Sequence, residues 1–165
     1  MTIVLSANVA TSVNGIELGK AAEYLVCSDL ILSGYVAYPT DQGLPYDLVV
    51  DVDGKLLKVQ VKGSCRARNV NSQGQCERMA YNFSIRRRGK GGSSRLSNDD
   101  CDLIACVALD IRRVAYFPVN IVPMTVYMGP PGYKFTGHIT KRRGDTSSNI
   151  DEWPIQRALD LMRLK

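Results

Sequence analysis

The pattern of apolar and polar positions divides this chain into a leading helix, a series of short strands and a closing helix. Residues 46–62, YDLVVDVDGKLLKVQVK, alternate with the period of two that a half-buried strand requires. Asp53-Gly54 breaks the alternation. An Asp-Gly pair between β-rich runs predicts a two-residue hairpin turn, because both turn positions need positive φ. Counting outward from that turn sets Asp51 opposite Leu56, Val49 opposite Lys58 and Asp47 opposite Gln60. Side chains alternate faces along a strand. One face then carries Tyr46, Leu48, Val50, Leu57, Val59 and Val61, and the other carries Asp47, Lys58, Gln60 and Lys62. An acid, an amide and a lysine therefore converge at the open end of the hairpin. A polar outer face is also what any antiparallel sheet turns to water, so the hairpin alone does not define a site.

Upstream, residues 16–33 read as one helix. Asn14 or Ser12 can cap its start and Gly34 can end it. Ile16, Ala22, Val26 and Leu30 recur near helical spacing, and Gly19 and Glu23 fall on the same stripe. A carboxylate there is costly to bury without a cation or solvent to meet it. Gly19, one turn away, is expected to leave room for close approach. A strand at 35–38 and a loop with Pro39, Gly43 and Pro45 lead into the hairpin.

Further along, Tyr81, Phe83 and Ile85 alternate in a strand over 81–86. Residues 101–110 and 114–118 predict a second hairpin. Leu103, Ala105 and Val107 alternate there with Ile104, Cys106 and Ala108, so both faces are apolar and the strand is central. Residues 121–144 read as loop with one short strand. A C-terminal helix is expected at about 152–164, with Asp151 as cap and Pro154 in its first turn. Its face of Ile155, Ala158, Leu159 and Met162 either packs on the core or pairs subunits.

This order (helix with Glu23, strand, Asp47 strand, Gln60-Val61-Lys62 strand) resembles the PD-(D/E)xK nuclease superfamily. Within it, the chain is most similar to the small group I intron homing endonucleases. Their run of G-x-x-x-E, GY, DLV and QVK corresponds to Gly19 and Glu23, Gly34-Tyr35, Asp47-Leu48-Val49, and Gln60-Val61-Lys62. Archaeal Holliday-junction resolvases share the layout, with Glu where Gln60 stands. The likeness covers about 15–118 and is best over 19–63. Gln60 in place of an acid removes one negative charge from a cation site, and Pro45 is separated from Asp47 by Tyr46.

The resemblance implies an α/β fold with a restriction-endonuclease-like core, a mixed central β-sheet flanked by helices. It implies a Mg²⁺-dependent deoxyribonuclease in which Mn²⁺ can substitute. Glu23, Asp47, Gln60 and Lys62 would be the catalytic set. Asp47 would be the principal metal ligand, Glu23 a second ligand or the holder of a metal-bound water, Gln60 a ligand through its side-chain oxygen, and Val61 one through its backbone carbonyl. Lys62 would orient the attacking water or neutralise developing charge. Asp102 fits a family pattern in which an Asp opens a core strand, with a structural role.

Charge adds a substrate. The net charge is +5, and the stretch 62–95 holds Lys62, Arg66, Arg68, Arg78, Arg86, Arg87, Arg88, Lys90 and Arg95 against Glu77 alone. Such a block contacts backbone phosphates and releases counterions. Lys58, Arg66, Arg68, Arg86, Arg87, Arg88, Lys90 and Arg95 are the candidate DNA contacts, with Arg86 and Arg88 as candidates to read guanine. Gly89, Gly91 and Gly92 with Ser93 and Ser94 predict that 86–97 is flexible and orders on DNA. Lys141-Arg142-Arg143 adds a second basic cluster.

One nuclease domain is expected over 1–165, with a flexible basic segment at about 63–97. Cys27, Cys65, Cys76, Cys101 and Cys106 contain no C-x-x-C pair and lie far from His138, so zinc is not expected and reduced thiols fit a cytoplasmic protein. The single histidine argues against a histidine-based nuclease. No secretory signal or bilayer-spanning stretch is visible, so no membrane partner is expected. A double-strand break needs two active sites, which implies a homodimer or homotetramer on double-stranded DNA. Three functions compete: a site-specific homing endonuclease, a structure-selective nuclease like the junction resolvases, and a non-catalytic DNA-binding protein on a nuclease-like fold. Gln60 is the best support for the last, and the joint presence of Glu23, Asp47 and Lys62 the best argument against it.

Overall fold

Asn14 opens the first helix, α1 (Gly15–Leu32). Its side-chain oxygen accepts the N–H groups of Ile16 and Glu17 at 3.0 Å each, and Glu17 reaches back to the Asn14 N–H at 3.2 Å. This reciprocal capping box satisfies donors that a helix start leaves unpaired. Gly34, at φ +91°, ends the helix. The computed structural model describes residues 13–41, 43–70, 78–89, 92–133 and 148–163. The alternative cap Ser12, Cys76, Glu77, Lys90, His138, the cluster Lys141-Arg142-Arg143 and Leu164 lie outside the described residues.

Among the described residues, ten strands follow α1: β1 (Val36–Pro39), β2 (Leu48–Val52), β3 (Lys55–Ser64), β4 (Arg68–Asn69), β5 (Met79–Ser84), β6 (Arg86–Gly89), β7 (Gly92–Arg95), β8 (Leu103–Ala108), β9 (Arg113–Pro118) and β10 (Thr125–Met128). The Asp53-Gly54 turn forms as its sequence requires, with φ of 54° and 82° and the Gly54 N–H bonded to Asp51 Oδ1 at 2.8 Å. The β2–β3 register pairs Val49 with Lys58 and Asp51 with Leu56.

The main sheet runs β1-β2-β3-β8-β9. The β3–β8 pair is parallel and its other pairs are antiparallel, so the sheet is mixed. Asp102 fastens the start of the parallel pair. Its Oδ2 accepts the Lys58 N–H at 2.8 Å, and its own N–H donates to the Lys58 carbonyl at 2.9 Å. β8 is buried on both faces, as its two-sided apolar pattern demands.

One face of this sheet carries Leu48, Val50, Leu57, Val59, Val61, Leu103, Ala105 and Tyr116, covered by α1 and by the C-terminal helix α2 (Ile155–Arg163). The helical face of Ile155, Ala158, Leu159 and Met162 therefore packs on the core. The other face is covered by the sheet β10-β5-β4 and neighbouring loops, with Tyr81, Phe83 and Ile85 against Ile104, Cys106 and Phe117. The polar side of the β2–β3 hairpin thus faces a second layer of protein, where an open hairpin would have faced water.

Several sequence expectations are corrected. Tyr46 packs with the second cluster, opposite the face that alternation assigned to it, because the chain is irregular before β2 begins at Leu48. Ile16 is 77% exposed and the buried stripe of α1 starts at Ala22. A Cβ at Gly19 would meet nothing within 4 Å, so close approach is not its role. The close approach is at Gly63, where a Cβ would sit 3.3 Å from Ala22 Cβ. Within segment 86–97, Arg86–Gly89 pairs with Gly92–Arg95 in the β6–β7 ladder, a strand pair that its composition does not announce. A short 3-10 turn over Ile150–Glu152 precedes α2, so Asn149, not Asp151, stands before the first turn and Pro154 immediately precedes the helix.

Candidate active site

The open end of the β2–β3 hairpin brings Asp47, Gln60 and Val61 into direct contact. Asp47 Oδ2 accepts the Val61 N–H at 2.7 Å and also the Gln60 side-chain Nε2. The Asp47 N–H in turn donates to the Val59 carbonyl at 2.9 Å. These bonds fix the carboxylate beside β3, one residue before Lys62. With its Nε2 committed to Asp47, Gln60 can meet a cation only through Oε1.

Burial raises the Asp47 carboxyl above its ordinary range. The Val61 N–H opposes that shift, the negative charge of Glu23 adds to it, and the charges of Lys62 and Lys20 work against it. Glu23 on α1 therefore shares the electrostatic environment of Asp47, although it lies 24 positions earlier in the sequence. Ala22, its neighbour on α1, packs over Gly63 of β3, which sets this turn of the helix alongside the end of β3. The Glu23 side chain is 14% exposed and its Oε2 lies 2.6 Å from Lys20 Nζ.

Lys62 rises from β3 on the side away from α1, paired in register with Cys106 of β8. Burial lowers its pKa, and Asp47 opposes that effect. Its Nζ donates to the Arg86 carbonyl at 3.2 Å. A cleft of about 730 Å³ opens here, lined by Pro45, Gln60, Lys62, Ser84, Arg86 and Ser93 among others.

The donors suit a hard cation: two carboxylates, an amide oxygen and the Val61 carbonyl, all oxygen, around a buried negative charge. Mg²⁺ prefers such ligands and keeps several waters. Among the described residues, no group of three or more His, Cys, Asp and Glu side chains is placed to hold a metal, so the amide and carbonyl oxygens would have to complete the set.

The basic candidates divide by position. Arg86 and Arg87 are exposed on β6, and Arg87 pairs with Asp100 at 3.2 Å. Arg88 lies on the same strand in register with Ser93. Arg66 and Arg68 are exposed beyond the end of β3. Lys58 is turned toward the Tyr46 ring, 5.7 Å from its centroid, and toward the Asp99 carbonyl at 3.5 Å. Arg95 donates to the Val122 carbonyl at 2.8 Å, which anchors β7. Sequence reasoning gave no site role to Lys20, Gly63 or the lining residues Leu44 and Ser84. Lys20 was accessible to it, since a Lys three residues before a helical Glu is a contact spacing.

A family model described as PD-(D/E)XK endonuclease matches residues 13–129, most of the chain. The chain belongs to that family and is a nuclease. Its fold is similar to that of a bacterial homing endonuclease, I-Ssp6803I, with a TM-score of 0.60 and 20% sequence identity over 92% of this chain and 95% of that one. No curated protein sequence matches it. Among the described residues no helix is long and apolar enough to cross a membrane.

Proposed function

We propose that this chain is a Mg²⁺-dependent endonuclease that cuts double-stranded DNA at a specific site, in the manner of a homing endonuclease. The observation that carries this reading is the Asp47 carboxylate. It is held against Val61, raised by burial and by Glu23, and set beside a cleft that Lys62 and Arg86 line. That is a negative pocket adjoining a positive channel, the arrangement a cation-assisted attack on a phosphodiester needs.

Asp47 and Glu23 would bind the ion, with Gln60 Oε1 and the Val61 carbonyl completing the protein ligands. Held by those residues, the ion would supply Lewis acidity toward a phosphoryl oxygen and toward water. The Lys62 ammonium orients the attacking water or balances charge gathering on the phosphoryl oxygens. Partial burial strengthens both effects by excluding bulk water. Arg86 and Arg87 on β6 hold the duplex by its phosphates. Arg86 also sits opposite Arg95 in the β6–β7 register, and two like charges facing each other favour an anionic partner. A homodimer or homotetramer supplies the second site that a double-strand break requires, and its symmetry calls for a pseudo-palindromic target. The similarity to a bacterial homing endonuclease supports the site-specific reading over a junction-selective one.

The test is incubation with a randomised duplex library and, separately, with a four-way junction, each with Mg²⁺. A consensus cut site is expected. Cleavage of the junction alone would mean a structure-selective nuclease, and silence on both would mean a DNA-binding protein without activity.

A further inference from the structure

Glu23 already has a cation. One turn earlier on α1, Lys20 places its ammonium 2.6 Å from Glu23 Oε2. The pair differs from an ordinary helix-surface ion pair in two ways. Glu23 is largely withdrawn from water, with 14% of its side chain exposed. The positive charge of Lys20 is also felt at Asp47, on a different element. Lys62, the other ammonium near Asp47, donates to the Arg86 carbonyl. Lys20 is thus the cation bonded to the Glu23 carboxylate.

Resting on the metal-dependent reading above, we infer that Lys20 is a resident counter-ion with which an incoming divalent cation competes for Glu23. The ammonium occupies Oε2 at 2.6 Å, which leaves Oε1 for an incoming ion and puts two cations in competition for one carboxylate. The two positive charges also repel one another in a partly buried site. The exchange needs somewhere for the ammonium to go. Lysine has a flexible four-carbon stem. The Lys20 side chain is already 36% exposed, so the ammonium can swing out to solvent. Lys20 then does two things for this site. It keeps the two carboxylates from facing each other uncompensated before loading, and it weakens metal binding to a level that ordinary cation concentrations can still exceed.

The experiment is a Mn²⁺ titration of the full chain without DNA, reading free Mn²⁺ by its electron paramagnetic resonance signal. Wild type is compared with Lys20→Met, Lys20→Arg and Asp47→Ala. Lys20→Met is expected to tighten Mn²⁺ binding by about three- to tenfold, the scale for removing one like charge a few ångströms away in a solvent-connected site. Lys20→Arg, which keeps the charge, stays within about twofold of wild type on the same argument. Unchanged or weaker binding in Lys20→Met, with binding that Asp47→Ala still removes, overturns the exchange and leaves the metal site standing. Absence of any Mn²⁺ binding that Asp47→Ala removes overturns the metal reading and the exchange together.

Discussion

Asp47 accepts the backbone N–H of Val61 at 2.7 Å, which ties the entrance of β2 to the residue just before Lys62. This bond favours the ionised carboxylate, yet burial outweighs it and the net shift of Asp47 is upward from the ordinary 3.8. A carboxyl whose folded pKa is raised contributes its stability when protonated, below the unfolded pKa. It loses that contribution as pH rises through the folded pKa. At neutral pH without divalent metal, ionised Asp47 is therefore a net cost to the fold. Asp47→Asn keeps an acceptor for Val61 and removes the charge. It should raise Tm at pH 7 in a chelator, and the gain should vanish as pH falls toward 3.8. Thermal denaturation at the two pH values checks this, and a lower Tm at pH 7 would contradict it.

Cleavage should depend on Asp47 and Lys62 far more than binding does. Asp47→Ala and Lys62→Ala are each expected to lower the cutting rate by about 100-fold or more, the scale for losing one preorganised charge-stabilising group. DNA affinity in Ca²⁺ should remain largely intact. Burial holds the Lys62 ammonium below its ordinary 10.5. Its charge is lost as pH rises through that depressed value, so wild-type cutting should decline on the alkaline side before pH 10.5. Single-turnover cleavage with parallel binding assays separates the two effects. Equal loss of both would assign these residues to the fold.

The hairpin was legible in the sequence because a two-residue turn and a period of two leave one register available. Asp53-Gly54 fixes both, and the convergence of Asp47 with Gln60 follows from counting. The second apolar layer was not legible. Tyr81, Phe83 and Ile85 announce a strand, but nothing local says that it will lie over the polar side of β3, since that depends on long-range closure. The same limit explains Tyr46, whose alternation with Leu48 ends where the regular strand does. The β6–β7 ladder was hidden by its glycines, which mark a loop in composition while Arg86 to Gly89 pair regularly with Gly92 to Arg95. Gly19 drew attention as a helical glycine, and the glycine that matters for packing is Gly63, where two elements distant in sequence meet.

Gly63 offers a direct test of how α1 delivers Glu23. A Cβ at Gly63 would lie 3.3 Å from Ala22 Cβ and 3.6 Å from Leu109 Cδ1. The branched side chain of Gly63→Val must push α1 away or distort β3, at a cost of about 1–3 kcal/mol. Because Glu23 follows Ala22, activity should fall by more than the stability loss explains. Ala22→Gly alone costs about 1 kcal/mol through helix propensity. Combined with Gly63→Val it should restore part of the lost activity, since the two changes share one contact. Denaturant unfolding and cleavage rates across the four proteins measure this coupling. Strict additivity in both quantities would mean that the helix position does not set the site.

Arg87 and Arg95 lie on neighbouring strands of one hairpin and should behave differently on DNA. Arg87 is about half exposed, and its half-buried partner Asp100 also accepts the Ser97 N–H at 3.0 Å and the Ser97 hydroxyl at 3.2 Å. A phosphate can take that guanidinium without leaving a buried group unpaired. Arg95 donates to the Val122 carbonyl at 2.8 Å and holds β7 to the body of the protein. Arg87→Ala should weaken DNA binding and reduce the slope of log affinity against log salt by about one. Arg95→Ala should leave that slope unchanged and lower stability by about 1 kcal/mol through the lost hydrogen bond. Binding measured over a range of salt, with unfolding curves for both variants, distinguishes the two roles. A reduced slope for Arg95→Ala would return that residue to the phosphate-contacting surface, and an unchanged slope for Arg87→Ala would remove β6 from it.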